Sequence, residues 1–335
     1  GAHVLCFESP KLRGSKLICM RKLLFCLFFL PLTALAQSSP IAFAIHGGAG
    51  FVDSNKVSPE LRARYRMVLS EAALTGYGIL KRGGTSLEAV EAAIRILEDS
   101  PLFNAGRGAV TNAEGFCELD ASIMDGRGRQ AGAVAGLTTV KNPISLARLV
   151  KDSTKHVLLM GEGAERFAAQ MPVQRVERSY FLDRDPDKKG EVPGWLHDAK
   201  FGTVGAVALD RQGNLAAGTS TGGMRGKQFG RVGDVPIIGA GTYAENGVVA
   251  VSCTGHGEFF IRQVAAYEVA ALMKYKGLTV QQAADAVIHE QLKPMGGSGG
   301  LIALDALGNI HLPFNSGSMF RASVDNAGKI TVAIW

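Results

Sequence analysis

No two cysteines of this chain stand as CxxC, and no Cys/His group has zinc-ligand spacing, so the sequence carries neither a redox pair nor a zinc module. Five cysteines are present in 335 residues, and Cys6, Cys19 and Cys26 lie close to the start. Cys117 and Cys253 remain, too few for a disulfide framework, and the sequence leaves open whether they pair. Strong charge is also missing. The net charge is +6, of which residues 1–36, with five Lys/Arg and one Glu, supply +4. The remainder has no basic stripe, which excludes a nucleic-acid partner. Long apolar runs are absent too. The run Leu23–Leu30 is too short to cross a bilayer.

That run belongs to "MRKLLFCLFFLPLTALAQ", which begins at Met20. Arg21 and Lys22 form a positive start, Leu23–Leu30 an apolar centre, and Ala34-Leu35-Ala36 an A-x-A cleavage site before Gln37. Residues 20–36 therefore read as a signal peptide, with a membrane anchor as the other reading. Residues 1–19 are an upstream segment of unclear origin. Export to the periplasm, with no membrane association after leader removal, is the expectation.

Beyond the leader the composition is globular. The whole chain is 47% hydrophobic and 20% charged, enough for a large core, expected as one structural domain over 40–335. "IAFAIHGGAG" (41–50) reads as a buried strand running into a glycine loop, and residues 59–81 as a helix. A second helix follows Thr85, with Glu88 at the capping-box position and Leu87, Val90, Ile94 and Leu97 at helical spacing; Pro101 stops it. A hairpin pair is predicted over 110–140, and short helices over 143–151 and 161–170. Residues 177–202 are charged, hold Pro186 and Pro193, and read as an exposed linker. Two similar hairpins follow, "TVGAVALDRQGNLAAGTS" and "GGLIALDALGNIHLPFNS", each turning on Asp-x-x-Gly-Asn. Between them "GEFFIRQVAAYEVAALMKYKG" reads as one amphipathic helix, with another over 279–291. "ASVDNAGKITVAIW" is a third hairpin. Antiparallel hairpins with helices in blocks imply an α+β layered architecture.

The chemistry turns on Gly202-Thr203. Threonine is a weak nucleophile without a base, and His46, His256 and His289 do not stand in nucleophile-elbow contexts. If the chain is cut before Thr203, the new α-amine, with a pKa near 7.7–8.0, becomes a base beside its own hydroxyl. Gly202 is small enough to let that hydroxyl reach the preceding carbonyl. The alternative is that Gly-Thr simply starts a strand. "STGG" would bring Thr221 beside Thr203 at the end of the paired strand. "GRVGD" sets Arg231 and Asp234 three apart, a clamp for a carboxylate and an ammonium or else a surface ion pair. "SCTGHGE" could offer Thr254, Gly255 and Gly257 at a helix start as an oxyanion site, or be an ordinary strand-to-helix turn.

Taken in order, "HGGAG", "PLFNAGRGAV", "GTVGAVALD", "STGG", "GRVGD", "CTGHGE" and "GGSGG" resemble the isoaspartyl peptidase/L-asparaginase family of N-terminal nucleophile hydrolases, the plant-type or type III asparaginases. The resemblance covers nearly all of 40–335. It implies a four-layer αββα sandwich, cut by autoproteolysis between Gly202 and Thr203 into an α fragment (37–202) and a β fragment (203–335). Thr203 would be the nucleophile and Thr221 its orienting partner. Arg231 and Asp234 would grip the aspartyl α-carboxylate and α-ammonium, and Gly257 would touch the ammonium. Thr254 and Gly255 would form the oxyanion hole, and Asn104 would face the site. The loop around Asn104, Leu97 to Arg107, would wrap a structural sodium ion with the carbonyls of Leu97, Glu98, Ser100, Phe103, Ala105 and Arg107, and catalysis would need no cofactor. The implied assembly is a homodimer of two-fragment units. Where the family often carries Asn-Lys after "STGG", this chain has Gly226-Lys227.

The implied reaction is hydrolysis of β-aspartyl dipeptides and of the asparagine side-chain amide. An aspartylglucosaminidase-like amidase and an inactive periplasmic aspartyl-binding protein are the alternatives; the second would not cut itself.

Overall fold

The computed structural model describes residues 1, 40–55, 57–182 and 202–335. The leader and most of the 177–202 segment lie outside the described residues. Residues Ser38–Trp335 form one compact unit.

Among the described residues, twelve strands build two sheets. The larger has the order β12-β11-β1-β5-β6-β2-β3-β4, the smaller β10-β9-β8-β7. In the larger sheet these are β1 (Ala42–Gly50), β2 (Leu119–Asp125), β3 (Gln130–Leu137), β4 (Leu158–Met160), β5 (Val204–Leu209), β6 (Leu215–Thr221), β11 (Ser318–Val324) and β12 (Ile330–Ala333). The smaller holds β7 (Thr242–Glu245), β8 (Val249–Gly255), β9 (Gly299–Asp305) and β10 (Ile310–His311). All pairings are antiparallel except β3 with β4.

The central strands are buried on both faces, and their alternate residues serve two cores. Phe43 and Ile45 of β1 and Val204, Ala206 and Ala208 of β5 join α1 (Pro59–Lys81), α2 (Ser86–Asp99) and α3 (Pro143–Ser153) in one core. Ala42, Ala44, Val207 and Leu209 face the second sheet and the helices beyond it. The layers are thus helix, sheet, sheet, helix, the expected αββα sandwich. Helix α2 illustrates the driving force. Thr85 and Glu88 form the capping box, and Leu87, Val90, Ile94 and Leu97 are essentially fully buried. Each such side chain contributes about 1.5–3 kcal/mol.

The similar hairpins turn alike: Asp210 Oδ1 accepts from the backbone N–H of Gln212 and Asn214, and Asp305 Oδ1 from those of Leu307 and Asn309.

Several expectations need correction. The hairpin over 110–140 begins only at Leu119, because Asn112 closes a local turn with Phe116 before it. The short helix expected over 161–170 is α4 (Gly161–Ala168). The single helix expected after "CTGH" is two, α5 (Gly257–Gln263) and α6 (Ala265–Lys276), broken at Val264 with φ of 50°. The N–H groups of Ala266 and Tyr267 donate to Ala240 and Gly239 instead of extending α5, so a tertiary contact overrides the amphipathic period. The next helix, α7 (Val280–Asp285), widens into a π turn over Ala286–Leu292. The 177–202 segment is not exposed throughout: Glu177, Arg178 and Ser179 are exposed, but the 3-10 turn Arg178–Phe181 buries Phe181 fully. Cys117 and Cys253 lie in different cores and form no disulfide.

Candidate active site

The register of β5 with β6 sets Val204 opposite Ser220, so Thr203, just before β5, meets Thr221 at the end of β6. Thr203 Oγ1 lies 3.1 Å from Thr221 Oγ1, and both residues are buried. In the unprocessed chain the Gly202 carbonyl oxygen gathers three donors. They are Thr203 Oγ1 at 2.7 Å, Asn104 Nδ2 at 2.9 Å and Thr221 Oγ1 at 3.2 Å. Asn104 is itself fixed, donating to Gly223 O at 2.8 Å and accepting from Val110 N at 2.9 Å. Such a cluster suits an oxygen that becomes negative when the Gly202 carbonyl is attacked.

Beside it lies a small pocket lined by Thr203, Thr221, Met224, Arg231, Asp234 and Gly255, among others. The Asp234 side chain is buried and its Oδ2 has no hydrogen-bond partner. Burial pushes this carboxyl up to about 7. A buried oxygen without a donor is what an incoming ammonium would satisfy. Arg231 does not pair with Asp234. Its Nε donates to Glu258 Oε1 at 2.8 Å, and its guanidinium beside Glu258 holds that carboxyl below its usual value. Glu258 was not singled out in the sequence, although it stands in "CTGHGE".

Gly257 opens α5 between these two groups. A Cβ there would lie 2.9 Å from Arg231 Nη2, 2.9 Å from Asp234 Oδ1 and 3.1 Å from Asp234 N. The side chain it lacks leaves the space where a zwitterion could reach both charges. At the end of β8, Thr254 is buried, and its Oγ1 accepts from Ala49 N at 3.1 Å, which leaves its own hydrogen to be donated. Gly255 has φ of 144°, and a Cβ there would lie 2.4 Å from Ser298 O, so only glycine fits the turn. The structure thus gathers Gly202, Thr203, Thr221, Asn104, Arg231, Asp234, Thr254, Gly255 and Gly257 around one region.

Two residues that spacing could not find stand behind Thr203. His46 Nδ1 is 3.0 Å from Thr203 O, and His46 Nε2 is 2.9 Å from Ser252 Oγ. The run "GGSGG" has the spacing of a G-x-S-x-G elbow, but it leads into β9 rather than from a strand into a helix, so Ser298 is not presented as an elbow nucleophile.

Helix α2 ends at Asp99 with no basic residue in its last turn, so its C-terminal carbonyls present uncompensated negative ends. The following loop folds back on them: a Cβ on Gly106, with φ of 51°, would lie 2.3 Å from Glu98 O. The expected sodium ligands divide between the end of α2, with Leu97 and Glu98, and the loop after it, with Ser100, Phe103, Ala105 and Arg107. Among the described residues no group of three or more His, Cys, Asp or Glu could hold a metal ion.

An αββα sandwich with a strand-leading threonine, its hydroxyl on the preceding carbonyl, defines a hydrolase of the N-terminal nucleophile type. The comparisons with known proteins agree. The asparaginase family model matches residues 39–334. The isoaspartyl peptidase of Salmonella typhimurium (strain LT2) is 49% identical over 298 residues, covering 83% of this chain and 93% of the relative. That of Escherichia coli (strain K12) is 49% identical over 292 residues, covering 83% and 91%. The isoaspartyl peptidase/L-asparaginase of Rattus norvegicus is 42% identical over 301 residues, covering 88% and 89%. The chain belongs to the asparaginase family.

Proposed function

We propose that this chain is an autoprocessed threonine hydrolase that cleaves β-aspartyl dipeptides and the side-chain amide of L-asparagine, releasing L-aspartate. The observation that carries the reading is the Thr203 hydroxyl on the Gly202 carbonyl, with Asn104 and Thr221 donating to the same oxygen. Thr203 Oγ attacks the Gly202 carbonyl carbon, and Asn104 and Thr221 hold the oxyanion. The C–N bond breaks to leave an ester and a free Thr203 amine, and water hydrolyses the ester.

In the processed enzyme the neutral Thr203 amine takes the proton of its own hydroxyl, directly or through one water. Thr203 Oγ then attacks the β-carbonyl of an aspartyl group. Arg231 meets its α-carboxylate and Asp234 its α-ammonium, while the Thr254 hydroxyl and Gly255 N–H receive the oxyanion. The leaving amine departs with the proton held on Thr203, and water cleaves the acyl-enzyme by the same steps in reverse order.

Residues 20–36 direct export to the periplasm, and the mature protein is a homodimer of two-fragment units with no membrane association. Among the described residues no helix is long and apolar enough to cross a membrane. A sodium ion bound by the loop after α2 would neutralise carbonyl ends and stiffen the turn that carries Asn104.

Purified protein is expected to run as two fragments on a denaturing gel, the smaller beginning Thr-Val-Gly. Thr203→Ala stays whole and inactive. Steady-state rates on β-Asp-Leu, asparagine and a GlcNAc-Asn substrate rank the leaving groups, with β-Asp-Leu first. A single full-length band after long incubation, or a preference for the sugar substrate, would sink the reading.

A further inference from the structure

His46 is buried, touches the nucleophile and has no part in the steps above. It sits on β1 directly opposite Gly205 of β5, facing the core between the sheets with Ala42 and Ala44. A Cβ on Gly205 would lie 2.3 Å from His46 Nε2 and 2.0 Å from Ser252 Oγ, so the strand leaves open the space this bridge occupies. From Ser252 the contacts continue. Ser252 Oγ is 2.7 Å from Thr219 Oγ1, Thr219 Oγ1 is 2.5 Å from Thr242 Oγ1, and Thr242 Oγ1 is 2.8 Å from Ser122 Oγ. Ser122 also donates to Val235 O at 2.6 Å, next to Asp234. His46, Ser252, Thr219, Thr242 and Ser122 are all fully buried. A polar chain thus crosses an otherwise apolar layer from the Thr203 carbonyl to the loop that carries the clamp.

Hydrogen counting sets its directions. The Thr203 carbonyl can only accept, so His46 Nδ1 carries the hydrogen. Burial pushes the imidazole down to about 3, so the ring is neutral and Nε2 is bare. Ser252 must then donate to Nε2. Its one hydrogen is used, so the 2.7 Å contact needs the hydrogen of Thr219, which also has the longer acceptor Gly241 O at 3.3 Å, and Thr242 then donates to Thr219. Ser122 is left with one hydrogen for two acceptors, Thr242 Oγ1 and Val235 O. Every hydroxyl nearer the nucleophile is thereby oriented toward His46.

We propose that His46 is a positioning residue for the nucleophile. The buried hydroxyls of Ser252, Thr219, Thr242 and Ser122 hold it as the Nδ1–H tautomer, and that N–H fixes the Thr203 carbonyl and so the place of the nucleophilic Oγ against Thr221. The inference rests on the reading of Thr203 as nucleophile, but its first test does not. In wild-type protein labelled with ¹⁵N-histidine, ring-nitrogen NMR is expected to show His46 as the Nδ1–H tautomer. Ser252→Ala should release that tautomer. It should also lower kcat on β-Asp-Leu about 10- to 100-fold with KM within about twofold, since a small misplacement of a reacting group has effects of that order. His46→Asn, which can present an N–H near the Nδ1 position, should retain more kcat than His46→Leu. An Nε2–H tautomer in the wild type overturns the proposal, and that measurement needs no variant to fold. So does a processed Ser252→Ala enzyme with unchanged kcat, or a His46→Leu enzyme as fast as His46→Asn. A wild-type protein with the expected tautomer and no β-aspartyl hydrolysis would instead remove the functional reading and leave the contact standing.

Discussion

Gly257→Ala is the sharpest perturbation the site allows, because it adds one carbon at a known place. The new Cβ would lie 2.9 Å from both Arg231 Nη2 and Asp234 Oδ1 and 3.1 Å from Asp234 N. It therefore enters the space between the two charges that would hold a substrate zwitterion. A hydrogen bond to a charged group is worth about 1.5–3 kcal/mol. Loss of one contact to the carboxylate and one to the ammonium therefore weakens binding by roughly 3–6 kcal/mol. At about 1.4 kcal/mol per factor of ten, kcat/KM on β-Asp-Leu should fall about 10²- to 10⁴-fold. Overpacking should also lower stability by about 1–3 kcal/mol, visible as a lower Tm. Self-cleavage is separate, since Asn104, Thr203 and Thr221 surround the Gly202 carbonyl and none of them is among the atoms the Cβ would meet. The variant should still yield two fragments on a denaturing gel, while titration with free aspartate shows binding weakened in proportion to kcat/KM. Hydrolysis within about threefold of wild type would refute the placement of the zwitterion beside Gly257. Loss of self-cleavage would refute the claim that processing and binding use separate groups.

Asn104→Ala removes one donor from the Gly202 carbonyl, so precursor half-life should lengthen about 10²- to 10³-fold; a time course of the full-length band measures it, and cleavage at the wild-type pace counts against the oxyanion role. Asp234, pushed up to about 7 by burial, binds an ammonium only as the carboxylate. Affinity should therefore rise as pH rises through about 7 and be lost below it. In the kcat/KM profile Asp234→Asn should remove that limb, leave the one belonging to the Thr203 amine, and raise KM; an unchanged profile with unchanged KM would exclude Asp234 from the clamp. Arg231→Lys loses the planar fork and its tie to Glu258, and should raise KM about 10- to 100-fold with little change in processing. Equal cleavage of N-acetylated and free β-aspartyl dipeptides by the wild type would contradict the Asp234 assignment, and equal cleavage of a β-aspartyl dipeptide with its α-carboxylate amidated would contradict that of Arg231.

Local chemistry determined much of this protein from its sequence. The capping box at Thr85 and Glu88, the Asp-x-x-Gly-Asn turns and the two-residue alternation of β1 and β5 depend on neighbours within a few positions. They set where the elements begin and which residues face inward. The ordered motifs also pointed to Thr203, Thr221, Arg231, Asp234 and Thr254, because each lies at a strand end or in a loop whose composition marks it. Tertiary structure alone decided who meets whom. His46 reaches Thr203 across 157 positions and Ser252 across 206, and Asn104 reaches Gly202 across 98. Arg231 chose Glu258 over the nearer Asp234, and Val264 broke a helix whose spacing was otherwise sound, because carbonyls of Gly239 and Ala240 lay within reach. A hydrogen bond between strands of different sheets leaves no period and no spacing in the chain. It exists only once the apolar faces have packed and brought buried polar groups to partners they must have.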